Sequence, residues 1–203
     1  MPRLRLLLPP LAAFLAVCAV LPAQRFEDLE LYGPTARRWD QFGSDVSLSA
    51  DYALVGTSLD DDLGADSGSA WFFGLEPGVL PQPQMVLASD GNNGDQFGCA
   101  VSVDGPVAVV GAFSANAPHT DSGAAYVFRL DPLTGSWAEE TKLDPLVSVA
   151  GDHTGRDVAV AGELIVLGAP DADSSGYNSG IAYAYRYDPV LGIWDYAGFS
   201  QPS

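Results

Sequence analysis

The side chains with most capacity for chemistry are acids and hydroxyls gathered in three polar loops. The third loop is the richest, reading Asp171-Ala-Asp173-Ser-Ser175-Gly176-Tyr-Asn178-Ser179. Oxygen ligands at positions 1, 3, 5 and 9 with glycine at 6 are the spacing by which a tight loop wraps Ca²⁺. Asp171, Asp173 and Ser175 are therefore the candidate metal ligands, and calcium is the one cofactor the sequence raises. The two loops that align with it do not repeat the set: Leu59 and Ser114 stand in the place of Asp171. Acidic or amide residues recur only opposite Asp173 (Asp61, Asn116) and opposite Asn178 (Asp66, Asp121). Solvated Asx turns account for that pattern, so the favoured reading requires no cofactor. The run Asp60-Asp61-Asp62 reads in the same way, as a solvated loop tip.

Catalytic chemistry finds little to work with. The chain has two histidines: His119 lies in a variable loop, and His153 replaces a glutamine in a repeated slot. Neither has a nucleophile that spacing can nominate. Gly-x-Ser-x-Gly, HExxH and a phosphate-cradling loop are absent from the sequence. No catalytic residue is therefore assigned. Cys99 sits in the strand-like run FGCAVSV, where a buried small side chain is a better reading than a reactive thiol.

The elements that must position these loops repeat along the chain. Asp40-Gln41-Phe42-Gly43 recurs as Asp95-Gln96-Phe97-Gly98, and more loosely as Asp152-His153-Thr154-Gly155. Aligned from those aspartates, residues 40–73, 95–128 and 152–185 match without a gap, and the first two copies share 14 of 34 positions. Three equivalent aspartates imply a structural role repeated in each copy, in which a carboxylate bonds nearby N–H groups beside a glycine of unusual dihedral.

The periodicity inside each copy is that of strands. An apolar hairpin leads to Gly56, Gly111 and Gly168. In the second copy Asp104-Gly105 separates Ala100-Val-Ser-Val from Pro106-Val-Ala-Val-Val, a two-residue hairpin signal. The second strands are almost continuously apolar, as when both faces of a sheet are covered. Twelve residues on comes a third strand of small then aromatic residues: Ser69-Ala70-Trp71-Phe72-Phe73, with counterparts at 124–128 and 181–185. A fourth follows the turns Asp131-Pro132-Leu-Thr-Gly135 and Asp188-Pro189-Val-Leu-Gly192. Four strands per unit of about 55 residues is the pattern of a propeller blade, whose small sheet buries its faces only by stacking on neighbours.

Phe-Gly, an apolar hairpin, Gly-Ala-Pro (Gly168-Ala169-Pro170, with Gly111-Ala112 and Gly56-Thr57 as variants) and a Gly-Ala-Tyr-Val-Phe-like strand together resemble the FG-GAP repeat. That repeat builds the propeller head of integrin α subunits and of many bacterial surface and secreted proteins. The resemblance implies an all-β propeller of four-stranded antiparallel blades, about 40–90, 95–145 and 152–201, within a segment 24–203. It also implies a binding or adhesion module. The family's usual calcium loop lies inside the first hairpin, which here is a tight turn without room for a metal. Kelch repeats (paired glycines) and WD repeats (a Trp-Asp ending and shorter period) fit less well.

The chain opens with Arg3 and Arg5 followed by an apolar run from Leu6 to Leu21, broken by Pro9 and Pro10. This reads as a secretory signal peptide, 1–23, with cleavage after Ala19 or Ala23, and as too short and broken to span a bilayer. Val17 ahead of Cys18 argues against lipoprotein anchoring. A periplasmic, extracellular or secreted address follows. Removal would leave 7 basic residues against 26 acidic ones, a charge of −19, and Cys99 without a partner. Such a surface repels phosphate backbones and excludes nucleic acid as a partner.

Phe26 to Tyr32 reads as an extra outer strand whose own blade lies elsewhere, so only about three blades are present. A closed ring needs at least four. The leading expectation is an arc of a longer product, completed by further blades; the second is completion by copies of the chain. The expected function is a secreted or cell-surface module binding a protein or glycan through loops at one end of the blades. The alternatives are an assembly protein whose open blades other chains complete and, further out, a fragment of a propeller hydrolase or lyase.

Overall fold

In a computed structural model, residues 30–75, 82–145 and 147–200 are described. Twelve strands form three antiparallel four-stranded sheets, each in sequence order. Blade 1 comprises β1 (Phe42–Leu48), β2 (Tyr52–Thr57), β3 (Ser69–Gly74) and β4 (Gln84–Val86). Blade 2 comprises β5 (Val101–Asp104), β6 (Val107–Ala112), β7 (Ala124–Asp131) and β8 (Ser136–Leu143). Blade 3 comprises β9 (Asp157–Ala161), β10 (Leu164–Ala169), β11 (Ile181–Asp188) and β12 (Ile193–Ser200). The architecture is all-β, a partial propeller of three blades, with no closed sheet among the described residues.

Packing explains why each second strand is so apolar. One core joins Leu54, Ala70 and Phe72 of blade 1 to Val101, Val103, Val110 and Tyr126 of blade 2. Another joins Val107, Val109, Ala125 and Val127 of blade 2 to Ile165, Leu167, Ala169 and Tyr183 of blade 3. Strand β6, between the two cores, is buried along its whole length. Strand β10 alternates instead, with Leu164, Val166 and Gly168 half-buried, because its second face meets no described sheet. Strand β2 is buried from Ala53 to Thr57 as well, because Leu31, Phe42 and Met85 pack on the side of blade 1 away from blade 2.

Two sequence expectations need adjusting. In blade 2 Asp104 closes the strand by pairing with Val107, so the turn residues are Gly105 and Pro106 rather than Asp104 and Gly105. The positive φ of Gly105, 54°, supplies the tight reversal. Of the outer strand expected over 26–32, residues 26–29 lie outside the described residues, and Glu30 to Tyr32 form no strand. Leu31 packs instead against the apolar side of blade 1 made by Ala53, Val55, Trp71 and Phe73.

Blades are joined at the end where the twelve-residue loops emerge. Gly94, Gln96 and Phe97 donate N–H groups to the carbonyls of Ala65, Asp66 and Ser67 at 2.9, 3.1 and 3.0 Å. Gly151, His153 and Thr154 repeat this on Thr120, Asp121 and Ser122 at 3.1, 3.3 and 2.9 Å. The Asp-x-x-Gly turn of one blade therefore forms a short parallel seam with the loop of the blade before it, through bridges Gly68–Phe97 and Gly123–Thr154.

Candidate functional site

The loop end of the blades gathers the polar residues singled out by sequence, and its geometry begins with the repeated aspartates. Asp95 Oδ2 accepts the N–H of Asn92 at 2.8 Å, and Asp152 Oδ2 accepts that of Val149 at 2.7 Å. Asp40 Oδ2 accepts the N–H of Arg37 in the same manner. Each aspartate also donates its own N–H to the carbonyl of that third residue back. The turn is locked from both sides, and the next residue is driven to a positive φ: 58° at Gln41, 55° at Gln96, 54° at His153. Burial pushes the Asp95 carboxyl above its ordinary range, although the Asn92 N–H holds it back.

The recurring acids and amides of the loops also share a single role. Asp61 Oδ1 accepts the N–H of Asp66 at 2.9 Å, Asn116 Oδ1 that of Asp121 at 3.1 Å, and Asp173 Oδ1 that of Asn178 at 2.7 Å. The donors Asp66, Asp121 and Asn178 all take φ of 50–53°, a region that Asp and Asn tolerate better than other side chains. Both halves of the sequence signal are thus answered by one side-chain-to-backbone bond closing a loop of five residues.

The candidate calcium ligands each take part in a hydrogen bond of the loop or its neighbour. Asp171 Oδ2 lies 2.7 Å from His153 Nδ1. Asp173 is engaged with Asn178, and the Ser175 N–H donates to Ser179 Oγ at 2.9 Å. No group of three or more His, Cys, Asp or Glu side chains poised for a metal occurs among the described residues. The pairing of His153 with Asp171 was missed in the sequence. Its signal was available: both residues depart from the repeat, and both do so in the third copy. The His153 ring also stands edge-on to Phe113, 5.6 Å between centroids. His119 is exposed, and its backbone is held by the Ser122 hydroxyl.

A cleft of about 370 Å³ opens at this end, lined by Val147, Val149, Asp152, Asp173, Ile181 and Tyr183 among others. Its origin is a substitution within the repeat. In blade 2 the Tyr126 hydroxyl donates to Asp90 Oδ1 at 2.7 Å, and Lys142 Nζ sits 2.7 Å from Asp90 Oδ2. In blade 3 Tyr183 replaces Tyr126, but Val147 replaces Asp90. The Tyr183 phenol has no hydrogen-bond partner among the described residues, and burial beside the Asp152 carboxylate pushes it up to about 12. It therefore stays a protonated donor at neutral pH, inside a mostly apolar cleft of ligand-binding size.

The FG-GAP repeat family model matches residues 35–73, 81–128 and 137–185. The first match opens just ahead of the turn at Asp40, the second and third open at the outer strand of the blade before, and all three end at the aromatic end of a third strand. The chain belongs to the FG-GAP repeat family. Each match holds the first three strands of one sheet, and the second and third also take in the outer strand of the sheet before, so each FG-GAP repeat here marks one blade; in the second, Phe97-Gly98 is the part that docks on the preceding blade. A search of curated proteins returns no match. No helix among the described residues is long and apolar enough to cross a membrane.

Cys99 completes the seam. Its thiol donates to the carbonyl of Gly155 at 3.6 Å, in the place where Ser44 Oγ donates to the carbonyl of Gly98 at 3.0 Å. Burial pushes the thiol up to about 11, so little thiolate exists at neutral pH.

Proposed function

We propose that this FG-GAP chain is a secreted or cell-surface binding module that takes a protein or glycan ligand at the loop end of its blades, without catalysis and without a required metal. The observation that carries the reading is the cleft beside Tyr183. A free phenol donor and the Asp152 and Asp173 carboxylates stand among Val147, Val149 and Ile181, the mixture of apolar wall and few polar groups that favours a sugar ring or a peptide side chain. Rigid blades hold these loops, and loops on a rigid scaffold are where recognition concentrates. The −17 charge of the chain favours ligands that are neutral or basic. Export rests on the arginine-led apolar N-terminus, and adhesion on the habits of the family.

The test is a glycan and protein array probed with the purified chain, followed by titration of any selective hit. Val147→Asp should restore to Tyr183 the carboxylate that Tyr126 has, filling the cleft and weakening binding about tenfold, the size of one lost hydrogen bond to a buried donor. No selective hit, or a hit indifferent to this change, would count against the reading.

A further inference from the structure

The two internal junctions are built from equivalent strands, yet they are filled differently at the end where the hairpins turn. In the first junction Trp137 of β8, opposite Leu130 on β7, meets two rings of blade 1. Phe72 lies flat on it with 4.1 Å between centroids, and Tyr52 stands edge-on at 5.3 Å. In the second junction Trp194 of β12, opposite Tyr187 on β11, holds the place of Trp137. Val127 and Val107 hold the places of Phe72 and Tyr52. The tryptophan is retained, and both of its aromatic neighbours from the preceding blade are lost.

The space is only partly taken back. Arg129, where blade 1 has Gly74, lays its guanidinium 4.7 Å from the centre of the Tyr187 ring. Its Nε donates to Glu140 Oε2 at 3.0 Å, which balances its charge. Nη2 lies 3.0 Å from the same oxygen without hydrogen-bond geometry, and this buried donor has no other partner among the described residues. A cleft of about 300 Å³ remains, lined by Val107, Arg129, Tyr187, Trp194, Asp104 and Glu163 among others.

Shape and charge together say what this cleft takes. At the position of Val107 the first junction carries a phenol ring, edge-on to the tryptophan, so the missing piece is a ring of that size. Asp104 and Glu163 stand at the hairpin turns of blades 2 and 3, and both are exposed. Asp104 Oδ2 accepts the Gly162 N–H at 2.7 Å, which ties the two turns together. The same places in the first junction are Ser49 and Pro106, without charge. Rings are thus lost and carboxylates gained in one junction. A negative mouth above aromatic walls favours a cation.

We propose that this cleft is a second binding site, at the hairpin end of the blades and apart from the Tyr183 cleft, for a small aromatic amine. The ring takes the place that Tyr52 fills in the first junction, against Val107 and Trp194, and the ammonium group faces Asp104 and Glu163. Both walls belong to blades of this chain, and the site stands whether or not the loop end binds a ligand.

The purified chain is titrated with tyramine and followed by NMR at the Trp194 indole N–H, which Trp194→Phe identifies. Saturable shifts with a dissociation constant of about 1 mM are expected, the scale for so small a ligand. p-Cresol, which keeps the ring without the ammonium, should bind about threefold more weakly, and 3-(4-hydroxyphenyl)propionate more weakly still. Glu163→Gln, on an exposed turn, should weaken tyramine about threefold and leave p-cresol unchanged. Val107→Tyr builds the ring of the first junction into the cleft, and the folded variant should bind no tyramine. The absence of a saturable shift at about 10 mM tyramine would overturn the proposal. So would propionate binding as tightly as tyramine, tyramine binding indifferent to Glu163→Gln, or a folded Val107→Tyr chain that still binds it.

Discussion

The carbonyl oxygen of Gly98 in blade 2 stands where a side chain on Gly56 of blade 1 would have to begin, 2.0 Å from the position of its Cβ. Gly155 and Gly111 repeat the relationship one blade later, also at 2.0 Å. Neither Gly56 nor Gly111 has a positive φ, so these glycines serve close approach and not backbone freedom. Gly56→Ala and Gly111→Ala should each lower stability by about 3 kcal/mol, the upper part of the overpacking range, measured by urea unfolding. Equal stability in either variant would mean that the blades do not approach so closely.

The loop-closing bonds predict smaller losses. Asp61→Ala and Asn116→Ala each remove an acceptor for a backbone N–H held at a positive φ, and should cost about 1 kcal/mol. Asp61→Asn keeps the acceptor and should cost much less. Thermal denaturation of the three variants separates this geometry from a merely solvated loop, for which all three would match the parent.

Calcium should have no effect on the melting temperature at millimolar concentration. Asp171 Oδ2 is held by His153 and Asp173 Oδ1 by the Asn178 N–H, and a cation would have to compete with both bonds. Heat evolved in a calorimetric titration and lost in Asp173→Ala would reverse this assignment.

The Asp90 cluster makes stability depend on acid. Burial acts to raise the Asp90 carboxyl, but hydrogen bonds from Lys142 and Tyr126 and the Lys142 charge outweigh it, and the group titrates below its ordinary range. Its contribution is therefore complete above the unfolded carboxylate value near 4 and is lost as pH falls through the lower folded value. The pair is half-exposed, which limits the effect to about 0.5 kcal/mol. Asp90→Asn should flatten the fall in melting temperature between about pH 4 and pH 2. An unaltered slope would remove Asp90 from the account.

Cys99 should resist alkylating reagents at pH 8 until the protein unfolds, since burial keeps the thiol protonated. Cys99→Ser should fold normally and keep the bond to Gly155, because Ser44 already makes that bond one blade earlier. Rapid labelling of the native protein would show that the second seam opens.

Strand positions, blade number and the repeated glycines were legible in the sequence because every copy faces the same physical demand. Phe97 and Gly98 recur from Phe42 and Gly43 since each turn is built to meet a loop carbonyl. What was not legible depended on departures from the repeat. The cleft exists because Val147 replaces Asp90 beside a retained tyrosine, and no alternation or turn signal reports a missing partner. The bond from His153 to Asp171 joins two such departures 18 residues apart, and spacing alone does not show that a turn brings them together. The alternation of β10 was hidden for another reason: its sequence is as apolar as that of β6, and only the absence of a described neighbouring sheet distinguishes their burial.

Hydrogen exchange at Gln96, Phe97, His153 and Thr154 is the most direct measurement of the seams on which the blade stacking rests. These backbone amides lie outside the strands, yet each donates across blades to a loop carbonyl. They should exchange as slowly as Val109 and Val127 in the central sheet, through global unfolding. Exchange within seconds, at the rate of the exposed loop tips, would contradict the account.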